Sequence, residues 1–276
     1  MRSHLRSSSA VALVILVNSA SSLSAPRPWR DVSRWYGGSK RYWASTEPSN
    51  DGVLGGYGSV HASDISDSRA FLRSCGMWPP RDAGRTRALD VGAGIGRITD
   101  GLLLDLCDQV DLVDGCADFV AQARATLQAT PSVDGRGQLG VCMVADLQDF
   151  QPAANARYDL IWIQWVVGHL TDDDLCKLLR RCVRSLTSEG LIVLKDNVLD
   201  EAQGAAWGQH RAKSADTDRM VVDSLDNSVI RTRPHLMRLV AAAGLQLVAS
   251  AEAELDCDEL QAVTNLALRP EPALPL

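Results

Sequence analysis

Three glycines at alternate positions, Gly92, Gly94 and Gly96, close an apolar run and are followed at once by Arg97. Alternating glycines let backbone pass close to a ligand where any side chain would collide, and a helix starting there offers free N–H groups. The spacing does not fit the dinucleotide fingerprint G-x-G-x-x-G/A. Counted from Gly92 the third slot is Arg97, and counted from Gly94 it is Thr99. Asp114 lies 18 residues beyond Gly96 at the end of the next apolar run, where a carboxylate can accept both hydroxyls of a ribose; its bland reading is a strand-ending turn residue. Ala145-Asp-Leu-Gln-Asp149 ends a third run, with Leu147 able to cover a base and Gln148 able to read its edge. Gln164 stands in the otherwise apolar Ile161-Trp-Ile-Gln-Trp-Val-Val-Gly-His169. An unpartnered amide there would be costly, so it bonds either backbone or ligand, with Trp165 beside it facing an acceptor.

Each of these residues falls at the end of a strand-like run, and the runs alternate with helical sequence. The pattern predicts strands over 88–91, 109–113, 139–144, 158–162 and 191–195, and helices over 97–107, 118–129 and 234–243. A further helix over 172–186 has Thr171 as its cap, an acidic first turn and Gly190 as its stop. Strands 245–251 and 262–268 read as an antiparallel pair at the sheet edge. Upstream, Ser66-Asp67 can cap a helix to about residue 75, after the glycine-rich 51–58. The pairs Trp35-Tyr36 and Tyr42-Trp43 read as packing groups, and Pro79-Pro80 with Gly84 as a linker. Such alternation gives a mostly parallel sheet covered on both faces, with ligands beyond the strand C-termini.

The 276 residues, 46% apolar, suffice for one substantial core. A net charge of −6 without a dense Lys/Arg block argues against a nucleic-acid footprint. Seven scattered cysteines read as reduced, buried thiols, and the five dispersed histidines lack metal-ligand spacing, so no metal is expected. Residues 1–30 carry arginines, no acidic residue and an apolar run too short to span a bilayer. A cleavable signal, an organellar transit segment and a disordered tail remain open for this leader. The expected organisation is this leader, one domain over 31–269 and a tail over 270–276.

The glycine motif preceded by Leu-Asp-Val resembles the first motif of Rossmann-like S-adenosylmethionine (SAM) methyltransferases. More specific stretches are Asp51-Gly-Val-Leu-Gly-Gly-Tyr-Gly58, Leu147-Gln-Asp-Phe150, Ile161-Trp-Ile-Gln-Trp-Val-Val-Gly-His-Leu-Thr171, Val193-Leu-Lys-Asp-Asn197 and Asp223-Ser-Leu-Asp-Asn-Ser-Val229. Together they resemble the α-N-terminal protein methyltransferases, which methylate the free α-amine of proteins beginning X-Pro-Lys/Arg. The resemblance runs from about residue 40 to 269. It implies an α/β, Rossmann-like class I SAM-dependent fold with a mostly parallel seven-stranded sheet and helices on both faces. It also implies S-adenosyl-L-methionine as cofactor and protein N-termini as substrates.

The resemblance carries roles position by position. Gly92, Gly94, Arg97, Asp114, Gly115, Cys116, Leu147, Gln148 and Gln164 match cofactor contacts, the cofactor's carboxylate meeting Arg97 and the helix N-terminus. Leu54, Gly55, Trp165, Asn197, Asp223 and Ser228 match peptide-site positions. His169 and Asp226 match the groups proposed to accept the amine proton. Methyl transfer needs a neutral amine, and a terminal amine titrates near 7.7–8.0, so a modest base suffices. The stretch 198–222 is longer than the family's usual connection, a lid over the groove or an insertion, and leaves Asp223 and Asp226 less firmly placed than Asp114. The family is otherwise cytosolic and nuclear, against which the leader suggests secretory or organellar targeting. Two other functions compete: methylation of a small amine, and SAM binding without turnover as a partner of an active homologue.

Overall fold

The computed structural model describes residues 29–76, 86–129, 136–199, 220–257 and 260–272. The leader up to residue 28, the Pro79-Pro80 linker, most of the 198–222 stretch and the last four residues lie outside them. The described strands are β1 Arg87–Val91, β2 Gln109–Asp114, β3 Gln138–Val144, β4 Tyr158–Gln164, β5 Leu186–Leu199, β6 Met220–Asp223, β7 Ser228–Thr232, β8 Leu245–Glu252 and β9 Val263–Pro270. Strands β3-β2-β1-β4-β5 run parallel, β9 pairs antiparallel with β5, and β8 flanks β9. These seven strands are the sheet the sequence predicts. The antiparallel ribbon β6–β7 joins the end of β5 through Val198↔Arg231 and Leu199↔Thr232. Its apolar runs, Val221-Val222 and Val229-Ile230, are too short to register as strands.

Helices α1 Val32–Ala44, α2 Asn50–Val53, α3 His61–Ser74, α4 Arg97–Gly101, α5 Ala117–Ala129, α6 Asp172–Arg184 and α7 Arg233–Ala242 complete the described elements. Alternate residues of the central strands feed two cores. Val91, Ile161, Ile163 and Leu194 pack with α6 and α7 on one face. Leu112, Trp162 and Val193 pack with α3, α5 and the leucines after α4 on the other. Strands buried on both faces read as continuous apolar runs, which is why β1, β2 and β4 are legible.

Several predicted boundaries shift. The helix after the glycines stops at Gly101, and a short 3-10 turn, Leu103–Asp105, follows. Leu102, Leu103, Leu104 and Leu106 are all buried, so no polar face remains for one continuous amphipathic helix. α3 begins at His61, with Ser66 and Asp67 inside it rather than capping it. α6 starts where predicted, with the Thr171 hydroxyl accepting from Asp174 N at 3.1 Å, but ends at Arg184. Gly190 belongs to β5, at an irregularity opposite Tyr158 where a Cβ would sit 2.8 Å from the Tyr158 carbonyl oxygen.

The aromatic 31–45 stretch is helix α1, capped by Asp31 accepting from Arg34 N. Gly38 in its middle is there for contact: a Cβ would lie 1.9 Å from Asn227 Nδ2. All seven cysteines are thiols, but only Cys107 and Cys182 are buried. No helix of the described residues is long and apolar enough to cross a membrane.

Candidate active site

Beyond the C-terminal ends of β1, β2 and β4 lies a cavity of about 430 Å³. Its floor is the glycine turn. Gly92 has φ +73° and a Cβ there would meet Val166 at 2.7 Å; Gly94 has φ +55° and a Cβ there would lie 3.6 Å from Val53 Cγ1. Both conformations suit glycine, and both keep the floor bare. Asp114 closes β2 with each oxygen already accepting one backbone N–H, from Gly94 at 2.8 Å and from Cys116 at 2.8 Å. Burial raises its carboxyl above the ordinary value, and those two N–H groups pull against the rise. A carboxylate oxygen has room for a further donor beside each, which suits a ribose diol.

Gly115, Cys116, Leu147 and Gln148 line the same wall. Arg181 of α6 holds that wall from behind, donating to the Leu147 carbonyl at 2.8 Å and the Gln148 carbonyl at 3.1 Å. Asp90, also on the wall, accepts from Thr99 N and Oγ1, and burial pushes its carboxyl up to about 6.

Arg97 faces the cavity but spends NH1 on Asp64 at 2.6 Å, and its guanidinium lies 5.5 Å from the Trp165 ring centre. Helix α4 is only five residues long, so Arg97 rather than a helix dipole is the cation available to a carboxylate. Gln164 borders the cavity, yet both ends of its amide are partnered inside the protein. Oε1 accepts from Trp162 Nε1 at 2.8 Å, and Nε2 donates to Asp64 at 2.9 Å. Trp165, on the wall beside it, has φ +49°, a conformation costly for a bulky residue and held by its N–H to the Lys195 carbonyl at 3.0 Å.

One face of α1 supplies another wall: Tyr36, Ser39, Lys40 and Trp43 follow helical spacing and all line the cavity. Lys40 reaches across to pair with Asp146 at the tip of β3. Trp43 Nε1 lies 3.1 Å from His169 Nε2, and Asn227 O lies 3.2 Å from His169 Nδ1. An indole N–H only donates and a carbonyl only accepts. That geometry fits a proton on Nδ1, where Ser39 Oγ also lies 3.1 Å away, and Nε2 accepting from the indole. The sequence expectation that His169 takes a substrate proton meets that indole.

Asp226 Oδ2 lies 4.0 Å from His169 Nε2. Its Oδ1 is buried and without a hydrogen-bond partner among the described residues. Burial raises the Asp226 carboxyl above its ordinary value, with His169 and then the Ser228 hydroxyl opposing the rise and Asp223 reinforcing it. Burial, and then Asp226 and Asp223, likewise push up the Tyr42 phenol. The turn bearing Asp226 is pinned to α1 by Asn227 Nδ2 donating to the Trp35 carbonyl at 2.9 Å.

The structure thus brings Trp165 and His169 to one end of the cavity, with Asp226 4.0 Å from the His169 ring and Ser228 against Gly168, next to the lining residues rather than among them. Asp223 stands at the base of the same turn, bonded to Leu225 N at 2.8 Å. It does not bring Leu54, Gly55, Asn197, Asp223, Asp226 or Ser228 to the cavity wall itself. Val53 is the residue of the 51–58 run that faces inward, while Leu54 is buried and Gly55 exposed. Asn197 Nδ2 is bonded to the Gln261 carbonyl at 3.0 Å. Ser39, Lys40, Trp43 and Val53 are wall residues that sequence reading misses. The only signal for the first three is the 36/39/40/43 spacing, visible once 31–45 is taken as a helix.

The glycine cradle, the doubly bonded Asp114 and the cavity-facing Arg97 fit S-adenosylmethionine. Residues 31–269 match the model of the AdoMet-dependent proline di-methyltransferases. Curated relatives named N-terminal Xaa-Pro-Lys N-methyltransferase 1 include those of Homo sapiens, 40% identical over 87% of this chain and 97% of theirs, and Danio rerio, 42% identical with the same coverage. A solved SAM-dependent methyltransferase from Leishmania major superposes with a TM-score of 0.70 at 33% identity, covering 85% of this chain and 83% of its own. The chain is a SAM-dependent methyltransferase of the AdoMet-dependent proline di-methyltransferase family.

Proposed function

We propose that this enzyme methylates the free α-amine of proteins beginning Xaa-Pro-Lys or Xaa-Pro-Arg. The observation that carries this reading is Asp226 Oδ1, a buried carboxylate oxygen with no partner among the described residues. Such an orphan acceptor is costly, and a donor entering beside it, such as an amine N–H, relieves the cost. When bound, S-adenosylmethionine supplies an electrophilic methyl group on a sulfonium.

The chain's own residues do the rest. Gly92, Gly94, Asp114 and Arg97 hold the cofactor, and Leu147 with Gln148 walls its base. Asp226 Oδ1 orients the amine and takes its proton. His169, bonded at both nitrogens, keeps the Asp226 side of the pocket in place. Trp165 offers a flat apolar wall to a second-position proline, and Asp223 with Asp226 places negative charge for a third-position cation.

The test incubates the full chain with SAM and a Ser-Pro-Lys hexapeptide, read by mass. The reading expects a gain of about 14 daltons per methyl on the α-amine, abolished by N-acetylation and weakened when Gln replaces the third-position Lys. Gain on small amines alone, or cofactor binding with no turnover on either, overturns it.

A further inference from the structure

Asp64 does not line the cavity, yet three side chains from three segments converge on it. It is fully buried on α3. Its carboxylate accepts from Arg97 NH1 at 2.6 Å, from Lys195 Nζ at 2.7 Å and from Gln164 Nε2 at 2.9 and 3.0 Å. Lys195, also fully buried, has a carboxylate of its own in Asp67 at 2.6 Å, and donates to Ser68 Oγ at 2.9 Å. We infer that Asp64 is a positioning residue for the cofactor pocket: it sets Arg97 and Gln164 from behind the wall and so builds the seat of the cofactor's carboxylate. This rests on the reading that the cavity holds S-adenosylmethionine.

The arrangement follows from charge and donor counts. Two carboxylates, Asp64 and Asp67, serve two cations, Arg97 and Lys195, so no net charge is buried. Burial opposes ionisation of Asp64, yet Arg97 and Lys195 beside it hold its carboxyl below the ordinary range. Because Asp64 is shared with Lys195, it does not saturate Arg97. Among the described residues the guanidinium bonds Asp64 and approaches His61 through NH1 alone, leaving its other nitrogens for an incoming carboxylate. Arg97 is also fixed on its flat side by the Trp165 ring. Every partner of Asp64 is a donor, so an amide in its place would turn an N–H toward one of them and break the common register.

The test is calorimetric binding to the full chain of two ligands, S-adenosylhomocysteine and 5′-methylthioadenosine, which lacks the amino-acid tail. Asp64→Asn should weaken S-adenosylhomocysteine by roughly tenfold to hundredfold, the loss of one charge-assisted hydrogen bond. It should leave methylthioadenosine within about twofold, since the ribose seat at Asp114 is untouched. In an Arg97→Lys background the same substitution should cost little more, because its effect passes through Arg97. Asp64→Glu keeps the charge but overreaches by one methylene; it should show a smaller loss of the same selectivity, and it decides the matter where Asp64→Asn does not fold. Equal weakening of both ligands, or of neither, overturns the inference. Failure of the unmodified chain to bind S-adenosylhomocysteine overturns the cofactor reading instead.

Discussion

The indole Nε1 of Trp43 and the Nε2 of His169 are 3.1 Å apart, with the two rings at 90°. The donor is unambiguous, so the histidine nitrogen a mechanism would use as a base is already capped. We expect nitrogen-15 NMR to find His169 as the Nδ1–H tautomer, its Nε2 pyridine-like. His169→Asn, which keeps an N–H toward the Asn227 carbonyl, should then retain kcat within about tenfold, whereas His169→Ala should lose more. Equal and near-complete loss in both would return the proton to His169.

Asp226 is the remaining acceptor beside His169. Asp226→Asn should lower kcat about 100-fold or more, the range for removal of a general base, with S-adenosylhomocysteine affinity within about twofold because Asp226 is not on the cofactor wall. The pH profile carries the sign. Asp226 must be ionised to accept a proton, so kcat/KM falls as pH drops through its raised value, and the substrate amine adds a step near 7.7–8.0. The variant should keep the amine step and lose the lower one. A profile unchanged in shape would assign the base elsewhere.

The sequence pattern made the sheet legible because parallel strands buried on both faces must be apolar throughout. It made the cofactor wall legible because Gly92, Asp114, Leu147 and Gln164 each sit at a strand tip, where type and position coincide. The remaining features depend on contacts across 100 residues or more. Asp64 is an ordinary helical aspartate until Lys195 and Gln164 arrive beside it, and Trp43 is a packing aromatic until His169 does. Gly37-Gly38 hid helix α1, since nothing local says that Gly38 is there to admit Asn227. In the 51–58 run, Leu54 and Gly55 were expected at the site, but the inward residue is Val53; a turn dense in glycine leaves the facing of its side chains open.

Asp114 ties two backbone N–H groups of the cofactor turn to the ribose seat. Asp114→Ala should therefore weaken S-adenosylhomocysteine and methylthioadenosine alike, by about 100-fold, the worth of one to two hydrogen bonds to a charged group. Calorimetry on both ligands checks it. Loss confined to S-adenosylhomocysteine would place the ribose away from Asp114.

Asp90 makes the protein's stability depend on pH in an unusual direction. Its folded carboxyl sits at about 6 through burial, although two bonds from Thr99 favour the ionised form. Unfolded, it titrates near 3.9. Between those values the folded chain binds more protons, so this group's contribution to stability is largest at low pH and declines as pH rises through about 6. Above pH 7 the ionised carboxylate costs about 2–3 kcal/mol relative to a neutral group. Asn offers an uncharged oxygen to the same Thr99 donors, both of which now bond Asp90 Oδ2. Asp90→Asn should therefore raise the Tm of the cofactor-free protein at pH 7.5 by about 5 °C, and by about half as much at pH 5. A gain independent of pH would deny the raised carboxyl, and a lower Tm at pH 7.5 would mean that the carboxylate is stabilised where it lies, with Arg97 on the cavity wall as the compensating charge.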